Sequence, residues 1–161
     1  MEGDAVMFER CHSPHDVAHV YGQYGFPVEL TFGRTSMLTS ARLGAVVMPP
    51  SLGRSVQELL GDAASAPVIS HSRPDRRWIF LVGPNRSNKL GDRSLAELER
   101  HEVRLLDIGT RVWLPMSDSP LGWYWAAPPL EGASAAPSRT FVLGAARKVL
   151  DGHAVARSQG C

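Results

Sequence analysis

The stretch over residues 66–84, APVISHSRPDRRWIFLVGP, constrains this chain more than any other. Two short apolar runs, 67–69 and 78–82, flank a polar turn that contains Arg73, Pro74, Asp75 and Arg76. Short runs of Val, Ile, Phe and Trp bounded by Pro and Gly read as buried strands joined in a hairpin. The rest of the chain arranges itself around that hairpin, with helical patterns before and after it.

Upstream, Ser13-Pro14-His15-Asp16 is a helix start: a capping hydroxyl, Pro at the first helical position, and an acid facing the positive helix end. Val17, Val20, Tyr21 and Tyr24 fall at i, i+3, i+4 and i+7 and give that helix one buried stripe, and Gly25 ends it. Residues 26–32 follow as a strand closed by Gly33, and 35–40 fit no single pattern. Residues 44–48 (GAVVM) read as a short buried strand stopped by Pro49-Pro50. Leu52, Val56, Leu59 and Leu60 line the next helix, which stops at Gly61-Asp62.

Downstream, Ser94 with Glu97 predicts a capping box for a helix to about His101. Residues 103–108, 111–116 and 122–127 read as three more strands. Residues 128–137 form a Pro/Ala/Ser linker to a final helix, which carries Phe141, Val142, Ala145, Ala146, Val149 and Leu150 and is capped near Gly152. Strands outnumber helices without alternating strictly with them. That predicts an α+β fold, a mixed β-sheet with flanking helices, in one domain over 13–152. Residues 1–12 are expected to be flexible and 153–161 to fray.

The chain has 161 residues, 43% hydrophobic and 20% charged, the composition of an ordinary globular domain. Cys11 and Cys161 sit close to the termini and read as free thiols in a reducing compartment. The first ten residues carry acids where a secretory leader needs bases, and no apolar run approaches membrane-spanning length. A cytoplasmic protein without a membrane partner is the expectation. Net charge is +1, but Arg73, Arg76, Arg77, Arg86, Lys89 and Arg93 face only Asp75 and Asp92 within residues 73–93. Such a local excess suits phosphate binding, and it equally suits a solvated loop.

Three constellations could carry chemistry. His15 and His19 stand at i, i+4 with Cys11 and His12 nearby, but they point away from the apolar stripe, so solvated histidines are the simpler reading and no metal is assigned. His71, at a strand end beside the arginines, could bind phosphate or polarise a nucleophile, and it is also an ordinary hairpin residue. Trp123 and Trp125 share one strand face and could stack bases, though alternating Trp more often fills a core, as would Trp78 and Trp113. Neither glycine-rich phosphate fingerprint occurs, and no cofactor is implied.

Four pieces taken in order resemble the N-terminal domain of bifunctional DNA primase/polymerases, especially divergent actinobacterial members. They are DVAHVYGQYGFPVEL (16–30), LGAVVMPPSLG (43–53), the hairpin stretch (66–84) and RVWLPMSDSPLGWYWAAPP (111–129). The resemblance implies an archaeo-eukaryotic-primase-like fold around a nucleotide site. It also implies two acids, one residue apart, on the second piece, holding the metal ions of a two-metal phosphoryl transfer. The matching positions are Val46 and Met48, or Ala45 and Val47, and none is acidic. The nucleotide-contacting position falls on Arg77 or Trp78, and the third acid on Asp107. A strand of Ala, Val and Met offers no hard oxygen ligand, so the expected protein is a primase/polymerase-like domain without catalytic residues. Its partner would be DNA or a nucleotide, bound through the six basic residues. Two alternatives stay open: a regulatory or structural module with a protein partner, and an active nucleotidyltransferase using Asp75, Asp107 and Asp118.

Overall fold

The computed structural model describes residues 7–61, 66–85, 90–119, 122–129 and 136–159. In chain order the elements are α1 (Pro14–Gln23), β1 (Val28–Thr31), β2 (Arg34–Leu38), β3 (Gly44–Met48), α2 (Pro50–Leu60), β4 (Val68–His71), β5 (Trp78–Val82), α3 (Asp92–Arg100), β6 (Arg104–Leu105), β7 (Arg111–Trp113), β8 (Trp123–Ala127) and α4 (Arg139–Gln159). The strands form a five-stranded sheet, β6-β3-β5-β4-β8, and a three-stranded sheet, β1-β2-β7. The class is α+β. Every named ladder is antiparallel, so two antiparallel sheets stand where one mixed sheet was expected.

The expected hairpin is β4–β5, and it lies at the centre of the larger sheet with β3 against its other side. Alternation along these strands sorts their side chains into two cores. Val46, Met48, Val68, Trp78, Phe80 and Val82 face a layer of helices that contributes Leu52 and Val56 from α2, Leu98 from α3 and Val142 from α4. Ala45, Ile69 and Leu81 face the other way, onto α1 and the small sheet, where Val17, Tyr21, Met37 and Val112 meet them. The large sheet is therefore buried on both faces, which is why β3 and β5 read as continuous apolar runs.

Helix starts and stops follow local chemistry. The Ser13 hydroxyl accepts a 3.2 Å hydrogen bond from the Asp16 amide, and Pro14 opens α1. Gly25, at φ +85°, closes it, with the Phe26 amide reaching back to the Tyr21 carbonyl and the Gly25 amide to Gly22. The capping box expected at Ser94 and Glu97 is absent. Gly91 caps α3 three residues earlier, and the Ser94 hydroxyl instead accepts from Arg147 of α4 at 3.1 Å. Residues 103–108 yield only the two-residue β6, because Thr39 draws the chain after it into a turn. The Thr39 hydroxyl donates to the Asp107 carbonyl at 2.7 Å, and its own carbonyl accepts from the Gly109 amide at 2.8 Å. The packed chain begins before Ser13: Phe8 is buried, and the Met7 and Phe8 amides donate to the Asp118 carboxylate. At the other end the backbone of α4 continues to Gln159, past the expected fraying point at His153. Most of the linker, residues 130–135, lies outside the described residues.

Arg139 ties one end of the large sheet together. The residue is 8% exposed, and its guanidinium donates from Nε to the Gly83 carbonyl (2.9 Å) and from Nη2 to the carbonyls of Ser40 (3.1 Å) and Ala41 (2.9 Å). A Cβ on Gly44 would stand 3.1 Å from Nη2, so the glycine leaves room for this clasp. At the opposite end Trp78 packs on α2 so closely that a Cβ on Gly53 would lie 2.7 Å from its Cε3.

This contact makes Gly53→Ala destabilising by about 1–3 kcal/mol, because overpacking outweighs the roughly 1 kcal/mol gained in helix propensity. Gly144 on α4 has open space around its missing Cβ, so Gly144→Ala should stabilise by about 0.5–1 kcal/mol. Urea unfolding of both variants checks the pair, and equal shifts would contradict the packing of Trp78 on α2.

Candidate functional site

The strand that the resemblance matches to a metal-binding strand is β3. Val46, Met48 and Ala45 on it are 0% exposed: the first two lie under the helices, the third faces the α1 core. An unpaired carboxylate there would lose its hydration without compensation, at a cost of several kcal/mol. Asp75, Asp107 and Asp118 do not substitute for the missing pair. Asp75 is in the β4–β5 turn, beside the C-terminal end of β3, since Met48 pairs with Trp78. Asp107 follows β6 at the other end of β3, where the Leu106 amide bonds the Ala45 carbonyl. Asp118 is occupied by the Met7 and Phe8 amides. Among the described residues no three His, Cys, Asp or Glu side chains group so as to hold a metal ion. Cys11 is free and half-buried, and with His12, His15 and His19 it makes no such group.

The β4–β5 turn is the most basic feature of the large sheet. Arg73 and Arg76 are exposed and have no ion pair among the described residues. Arg77 donates from Nη2 to Glu102 Oε1 at 3.1 Å and from Nη1 to the Asp75 and Arg76 carbonyls. The N-terminus of α2 opens at the same end, where Pro49 provides no side-chain cap, and its dipole adds positive potential. Arg54 lies over the Trp78 ring, 5.8 Å from the centroid. Arg93 is not part of this group. It is exposed in the first turn of α3, and α3 runs from there back to the Arg77–Glu102 contact, a distance of roughly 13 Å at helical rise. Arg86 and Lys89 lie outside the described residues. The basic run of the sequence is thus divided between regions, with three arginines gathered at the turn.

Glu102 was invisible as a partner in the sequence. It sits just past α3 in a left-handed conformation, φ +63°, where glycine is the usual occupant. The Val103 amide bonds the Leu98 carbonyl and the Glu102 amide that of Glu99, closing the helix around it. Helix closure, a contact set by residues 25 positions away from Arg77, delivers this carboxylate to the turn.

His71 ends β4 half-buried, its ring 4.8 Å from that of Trp123. Its Nδ1 and the neighbouring Ser70 Oγ are buried without a hydrogen-bond partner. Burial pushes the His71 pKa below the usual 6.5, with Asp75 opposing and Arg73, Arg76 and Arg77 reinforcing the shift. Trp123 and Trp125 line the inner core and offer no open platform. Trp125 Nε1 donates to the Tyr21 hydroxyl at 3.0 Å, and that hydroxyl donates to the Pro115 carbonyl. Burial accordingly raises the Tyr21 pKa. Comparison with protein-family models, curated proteins and solved structures found no match. Among the described residues no helix is long and apolar enough to cross a membrane.

The depressed pKa of His71 means that the unfolded chain takes up a proton before the folded one does. Stability should therefore fall as pH drops below the unfolded value near 6.5, and be unaffected by this group above it. Urea midpoints from about pH 7.5 to 5.5 should show that slope in the wild type and a shallower one in His71→Asn. Identical slopes would remove His71 from the account.

Proposed function

We propose that this chain is a nucleic-acid-binding module of primase/polymerase-like type that carries no polymerase chemistry and acts in the cytoplasm. The observation that carries the proposal is the turn: Arg73 and Arg76, exposed and without an ion pair among the described residues, stand beside Arg77 at the end of the sheet where α2 begins. Guanidinium groups held on a short turn between two central strands can meet phosphates without ordering a long loop, and the open helix end favours the same charge. The loss of chemistry is supported by β3, whose side chains at the matched positions are apolar and inside the cores. Nothing in this mode of binding needs a divalent ion. A free thiol at Cys11 fits a reducing compartment.

Such binding is governed by counterion release. Three arginines on single-stranded DNA give a log–log salt slope of about −2, at roughly −0.7 per phosphate. Fluorescence anisotropy with labelled DNA should show affinity that weakens with salt and does not change when manganese replaces chelator. Arg73→Glu with Arg76→Glu should abolish the binding of duplex DNA. Glu102→Gly should strengthen it by freeing Arg77, at little cost in stability, because an exposed ion pair worth about 0–1 kcal/mol is exchanged for relief of left-handed strain of similar size. Metal-dependent binding would point to the nucleotidyltransferase alternative. No binding at low salt would sink the proposal and leave a protein-interaction module.

A further inference from the structure

The small sheet presents a second surface that the turn arginines do not explain. Met37, Val112 and Val28 of its strands face the inner core, so alternation places Glu29, Arg34, Ser36, Leu38, Arg111 and Trp113 on the opposite face, with Ser36 covered and Trp113 half-buried there. Two guanidinium groups approach the Trp113 ring: the Cζ of Arg34 is 4.2 Å from its centroid and that of Arg111 is 5.9 Å away. Arg111 is fixed from below, donating from Nη1 to Ser36 Oγ at 2.6 Å, with Glu29 Oε2 at 3.4 Å and Thr31 Oγ1 at 3.5 Å. Arg34 has no carboxylate partner among the described residues.

Beyond Arg34 the β1–β2 hairpin ends in a two-residue turn, Phe32-Gly33, with φ of +51° and +73°. Asn or Asp normally precedes the glycine in such a turn, because they tolerate the left-handed region. Here a phenylalanine occupies the position and is 99% exposed. Its backbone is strained and its ring has almost no contact in the fold, so its use lies outside the fold.

We infer that this face, from Phe32 through Arg34 and Trp113 to Arg111, is a stacking surface for single-stranded nucleic acid. Rings alternating with guanidinium groups match a strand whose unpaired bases stack while its phosphates find cations. The face holds two cations against one acid, and that acid is already engaged by Arg111. Arginine and aromatic side chains also occur at protein–protein interfaces, so it is the excess of positive charge on this face that favours a polyanion. A duplex, with its bases stacked inside, could use the guanidinium groups but not Phe32. The inference rests on the nucleic-acid reading above and assigns it a second site, selective for single strands.

The test compares labelled oligothymidine with a duplex of equal length, using wild type, Phe32→Asn, Arg34→Gln and the Arg73→Glu/Arg76→Glu double variant. Phe32 and Arg34 are exposed, so folding is preserved, and the melting temperature of Phe32→Asn should be equal to the wild type's or higher. Each single variant should weaken oligothymidine binding by about tenfold, and Phe32→Asn should leave duplex binding unchanged. Unchanged oligothymidine affinity in both single variants, with loss in the double variant, would overturn this inference and leave the turn as the site. Loss in the single variants with the double variant unaffected would keep this inference and overturn the turn. Absence of binding by the wild type would overturn both.

Discussion

The constraint on which the rest of this structure depends is that the central sheet has no wet face. Helices cover one side, and α1 with the small sheet covers the other, so β3 and β5 are apolar throughout. Each large side chain fully buried there contributes about 1.5–3 kcal/mol. An ionised group would subtract more than that. Polar chemistry is thereby displaced from the strands to the places where the sheet stops, namely the β4–β5 turn, the N-terminus of α2 and the outward face of the small sheet.

The two ends of that sheet are held differently. At one end a buried guanidinium, Arg139, joins Gly83 to the loop before β3 through neutral carbonyls, with no acid paired to it among the described residues. Such a cation is held by hydrogen bonds to carbonyl dipoles, and its removal would leave the loop before β3 without its link to α4. At the other end the groups are exposed arginines, and the one carboxylate that reaches them among the described residues, Glu102, is positioned by the closure of α3. One end is thus closed by buried hydrogen bonds, and the other carries solvent-exposed charge.

Much of the fold was legible because it follows from local chemistry. The start and end of α1 are both written in residues 13–25, and the central hairpin announces itself by composition. The expected strand over 103–108 failed because Thr39, far away in sequence, turns the chain at 107–110. The β1–β2 hairpin was hidden because Phe32 stands where Asn would have signalled the turn. The site was less legible still. The basic run over 73–93 looks like one patch on paper, yet Arg93 is carried away by α3. The Arg34–Trp113–Arg111 arrangement draws on residues from strands far apart in the chain and emerges only from sheet register. Trp123 and Trp125 alternate on one strand and pack, half-buried, against the core, as that alternation favours over a stacking platform.

The most direct test of the account is where a ligand touches the protein. Backbone amide spectra of labelled protein, titrated with oligothymidine at low salt and without divalent metal, would locate contact residue by residue. The account predicts shifts at residues 72–77 and at 32–36 and 111–113, with β3 unmoved. Shifts confined to other surfaces, such as the groove between α3 and α4, or none at all, would contradict it.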